Sequence, residues 1–144
     1  QKTAVKAYET AVTDAVNTRR AANDAARASF RTAVDNAVAS QKANVEAQAT
    51  IFASSVSTAI TTAEAACVAD PGNAAAIRTT LQASLKSARD TYNTARKSDT
   101  NIGDQIKKLT ETRNTAIKAN DAAFAAATKA ARETLKAAFG TTAI

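Results

Sequence analysis

Histidine, methionine and tryptophan are absent from the 144 residues, and cysteine and proline occur once each. Without histidine, the commonest general base and metal ligand is missing. No Glu-x-x-His pair can build the carboxylate-bridged metal centre found in some helical bundles. The three glycines stand singly, which excludes a glycine-rich phosphate loop. Acidic side chains are scattered, generally close to basic ones. These absences argue against an enzyme. They leave no candidate catalytic, cofactor-binding or metal-ligating residue. A lone cysteine cannot close a disulfide within the chain. No run approaches the ~18 consecutive apolar residues of a membrane span.

What is present is alanine, at 39 positions, with threonine at 21. Alanine is the best helix former and glycine and proline the worst, so the composition points to an all-α fold. Large apolar side chains are few, with four Phe and two Tyr supplying all the aromatics. Stability then has to come from many small contacts along long, closely approaching helices. The formal net charge is +6. It is spread along the chain, with no run of one sign and no aromatic row interleaved with it, which favours a solvated mixed-charge surface over a nucleic-acid footprint.

Apolar positions follow a rhythm of eleven residues. Val34, Val45, Val56 and Cys67 form one row; Val5, Val16, Val38, Ala49 and Ile60 form another, interrupted at Arg27. Tyr8, Phe30 and Phe52 mark every second period. Eleven residues over three turns lie close to the natural helical repeat, so each row stays on one face of a nearly straight helix. The rhythm predicts one helix over about 3–68, roughly 100 Å long. A break near 39–44, "ASQKAN", would instead give an antiparallel four-helix bundle. The unbroken phase from Val34 to Val45 favours continuity.

"DPGN" at 70–73 is the clearest interruption, with Asp70 or Asn73 as candidate caps. The second helix is expected over 74–97, with Ile77, Leu81, Leu85, Ala88, Tyr92 and Ala95 on its apolar face. "SDTNIG" at 98–103 is the next turn, where Asn101 and Asp104 approximate a capping box. The third helix is expected over 102–139. Ile106, Ile117, Thr128 and Phe139 form one row, and Arg113, Phe124 and Leu135 another. The stem of Arg113 should pack while its head reaches water or a carboxylate. Gly140 stands where a helix-ending residue of positive φ is expected.

Together these elements predict a single all-helical domain of three helices. A very long first helix carries an antiparallel hairpin of the other two, folded back on its C-terminal half. Residues 1–35 are then a projecting arm with one apolar face in water. Val5, Tyr8, Val12, Val16 and Phe30 form the seam through which that arm packs on another subunit. The expected partner is thus a second copy, in a homo-oligomer or filament. Cys67 should be a small buried hydrophobe, with an intermolecular disulfide as the other reading. Arg19, Arg20, Arg27 and Arg31 make a basic strip that Asp24 and Asp35 dilute. The alternative function is a basic helical module for nucleic acid or an anionic envelope polymer. Ice binding needs an exposed threonine ladder, and the steps from Thr13 and Thr110 land on Asp24 and Asp121.

Two segments, "RTTLQASLKSAR" at 78–89 and "NIGDQIKKLTETR" at 101–113, with "CVADP" before them, resemble small exported Ala-rich helical proteins of candidate-phyla (Patescibacteria-type) bacteria. The resemblance covers about 22–139. It implies export with a leader peptide removed, in keeping with a chain that opens at Gln1, and display outside the cell or at its surface. Many of those proteins carry two cysteines where this chain has Cys67 alone. The resemblance assigns no functional residue.

Overall fold

The computed structural model describes residues 1–98 and 101–140. It is all-α: α1 spans Lys2–Ala69, a 3-10 turn covers Pro71–Asn73, α2 spans Ala74–Ser98 and α3 spans Ile102–Gly140. The continuous first helix is therefore present at 68 residues, and the alternative with a break near 39–44 is not. Threonine fits this helical chain because its hydroxyl bonds back to the carbonyl four residues earlier, as from Thr13 to Glu9 at 2.8 Å and from Thr50 to Glu46 at 2.9 Å.

At the α1–α2 junction Asp70 leaves the helical region, with φ −143° and ψ 81°. Its N–H still donates to the Ala66 carbonyl at 2.9 Å, and its own carbonyl accepts from Asn73 N–H at 3.2 Å. Pro71 opens the 3-10 turn, where its missing N–H costs nothing, and the Asp70 side chain makes no capping bond. Asp104 sits in the first turn of α3, where a negative charge favours the helix dipole. Gly140 is the last helical residue of α3, and no glycine among the described residues has positive φ. A left-handed residue belongs one position past the last helical one, which lies outside the described residues.

The chain divides into two compact units that share α1. In one, residues 37–69 of α1 pack against α2. The Phe52 and Tyr92 rings meet at 5.4 Å between centroids, tilted by 42°. Ala59 and Ala88 are the buried residues of this pair. All six positions expected on the apolar face of α2 are buried or half-buried. In the other unit, residues 1–36 of α1 pack against α3, with Ala15 and Ala131 buried. The helices of this second unit run antiparallel: Asn23 meets Asn120, and the later Phe30 meets the earlier Arg113.

This placement corrects the expectation that both shorter helices share the C-terminal half of α1. Residues 1–35 are not a free arm, because α3 lies along them. A length signal was available: α2 and α3, at 25 and 39 residues, are together nearly as long as α1.

The centre of the α1 seam is a row of four alanines and one glutamine, Ala15, Ala26, Ala37, Gln48 and Ala59, each eleven from the next and all buried or half-buried. Tyr8, Arg19, Phe30, Gln41, Phe52 and Ala63 run beside it, also half-buried. Alanine at the centre lets the helix backbones approach, and the larger side chains close the edges.

Candidate functional site: the helix seams

Of the residues expected on an assembly seam, Tyr8, Val12, Val16 and Phe30 are half-buried and Val5 is exposed at 38%. The unit that holds them already supplies their cover, in α3.

The centre of that unit is polar and specific. The Arg19 guanidinium stands 4.3 Å from the centroid of the Phe124 ring, and the Arg113 guanidinium 4.5 Å from that of Phe30. Arg19 also approaches Asp121 at 3.7 Å. Between the two stacks the Asn120 amide donates to the Asn23 side-chain oxygen at 2.9 Å. Arg113 donates to the Asn114 side-chain oxygen at 3.2 and 3.0 Å. Arg113 is half-buried, and its head lies over an aromatic face with no carboxylate paired to it among the ion pairs of the described residues.

Two signals for this arrangement lie in the sequence. Arg19 and Phe30 are eleven apart, as are Arg113 and Phe124, in the same order. Antiparallel pairing therefore sets each Arg on a Phe, whereas parallel pairing would set Arg on Arg. The word "ANDAA" also occurs twice, at 22–26 and 119–123, and its two asparagines are the pair that meets.

Cys67 is exposed, against the expectation of a buried thiol. Its neighbour Ala66 takes the half-buried place toward α2, and Cys67 stands one residue further round the helix. The basic strip is partly engaged: Arg27 pairs with Asp24 at 3.3 Å and Arg19 with Asp121. Between α1 and α2 runs an open groove of about 500 Å³ whose walls mix hydroxyls, among them Thr58, Thr62 and Thr80, with apolar side chains such as Ala59, Ile77 and Leu81. No charged side chain lines it. Among the described residues, no three His, Cys, Asp or Glu side chains gather where they could hold a metal.

α1 contains a window long and apolar enough, by length and composition, to cross a membrane, and 6% of that window is buried. The expectation that no stretch approaches a membrane span is corrected to this extent. The buried core helix of a soluble protein and a signal sequence near an N-terminus pass the same measure. Comparison with protein-family models, with curated proteins and with solved structures finds no match.

Proposed function

We propose that this chain is a non-enzymatic structural subunit, exported or displayed at a cell surface, that acts by associating with copies of itself through helix faces. The observation that carries the reading is surface. Among the described residues no side chain is fully buried, and the most buried are four alanines at 9%. Large apolar side chains stand in water, among them Val38 at 50%, Ile51 at 59% and Ile60 at 43%. Paired helices with so little interior draw much of their stability from further packing. The resemblance of the segments at 78–89 and 101–113 to exported helical proteins supports the location.

Light scattering over a salt series tests the function. Association through apolar faces persists as salt rises, whereas binding to a polyanion collapses through lost counterion release. A chain that stays monomeric at every salt concentration and binds nucleic acid only at low salt would replace this reading with that of a basic binding module.

A further inference from the structure

The unit formed by residues 37–69 and α2 leaves a second apolar row on α1 beside the one that α2 covers. It comprises Val38, Val45, Ala49, Val56, Ile60 and Cys67. Val45 and Val56 are half-buried at its inner edge, and the other four are exposed. Val38 keeps 50% and Ile60 43% of its surface in water. The spacings along the row are seven, four, seven, four and seven residues, and so read the same from either end. A row with that property is complementary to itself when turned end over end. Val38 then lies opposite Cys67, Val45 opposite Ile60, and Ala49 opposite Val56. Alanine facing valine at the centre permits close approach of two helices, at roughly 8–10 Å between axes.

We infer that this row is the contact between two copies of the chain, packed antiparallel about a two-fold axis near residues 52 and 53 of α1. A two-fold contact uses the same patch on both partners and closes on itself. Charge agrees with the register. Lys42 and Glu64 both flank the row on its outer side, and in this pairing the Lys42 of each copy falls next to the Glu64 of the other. Within the chain Lys42 reaches Glu46 only at 3.7 Å, with both side chains largely in solvent.

The inference rests on the self-association proposed above, and cysteine cross-linking in the full chain separates the two. In the antiparallel dimer the two Cys67 thiols are 29 residues of helix apart, about 44 Å, far beyond the ~7 Å between Cα atoms that a disulfide spans. The unaltered protein is therefore expected to remain free of disulfide under mild oxidation. Val38→Cys, at a half-exposed position, should convert fully to a cross-linked dimer, through bonds from the introduced thiol of each copy to Cys67 of the other. Val38→Cys combined with Cys67→Ser should not. A dimer by light scattering that cross-links through Cys67 alone would overturn the antiparallel register and leave self-association standing. So would a dimer in which Val38→Cys gives no cross-link. A monomer that sediments with phosphatidylcholine–phosphatidylglycerol vesicles would overturn both and assign the row to a membrane surface.

Discussion

Arg19 and Arg113 are half-buried cations, and each lies on an aromatic ring beside a polar neighbour, Asp121 or Asn114. A cation over an aromatic face contributes about 0.5–1 kcal/mol at partly exposed sites. A double-mutant cycle on Arg113→Ala and Phe30→Ala should return a coupling of that size by chemical denaturation. A coupling of zero would mean that the stack is mere proximity. The asparagine pair behaves differently. Asn23→Leu leaves the half-buried Asn120 amide facing an apolar side chain, and removing one partner of such a bond costs about 1–3 kcal/mol. Adding Asn120→Leu should recover most of that loss, since replacing both partners removes the unmet polar group. A double variant no more stable than the single one would refute this account. The pair then serves register more than stability, the use best attested for a polar residue in a helix seam.

At the scale of the element, the continuity of α1 is a prediction about backbone. Ala43 is exposed, so Ala43→Pro sacrifices little packing. Proline inside a helix nonetheless costs ~3 kcal/mol or more through a lost hydrogen bond and a clash. The expected outcome is a clear fall in melting temperature with lost ellipticity at 222 nm. Unchanged melting would place a break at 39–44. How much of each helix was legible follows the same physics. The eleven-residue rhythm fixed which residues share a face, and in α2 every expected inward residue turns inward. It did not say which of two adjacent rows a partner covers. Val34, Val45 and Val56 lie at the covered edge, whereas Val38, Ala49 and Ile60 lie outside it, and both rows keep constant angles. The true centre, the row from Ala15 to Ala59, was illegible because alanine is everywhere in this chain. Phe139, expected inward, keeps 40% of its surface exposed.

For the whole molecule, the question is what holds residues 1–36. The apolar pattern alone makes them an arm whose removal should leave the rest intact. The structure pairs them with α3, and that changes the expected result of deleting them. α3 is 39 residues long and would then present Ile106, Arg113, Ile117, Phe124 and Leu135 without the helix that faces them. Most helical stability in proteins comes from packing an amphipathic face, so an unpaired α3 should fray. Deletion of residues 1–36 is therefore expected to lose substantially more helix than the deleted residues carry, by circular dichroism. Amide exchange should localise the excess loss to α3 and leave α2 protected. α2 keeps its partner in residues 37–69, together with the Phe52–Tyr92 contact and the buried Ala59 and Ala88. If ellipticity instead falls only in proportion to the deleted length, with α3 still protected, the pairing of α3 with residues 1–36 does not hold α3 together. Its stability would then have to come from another copy of the chain.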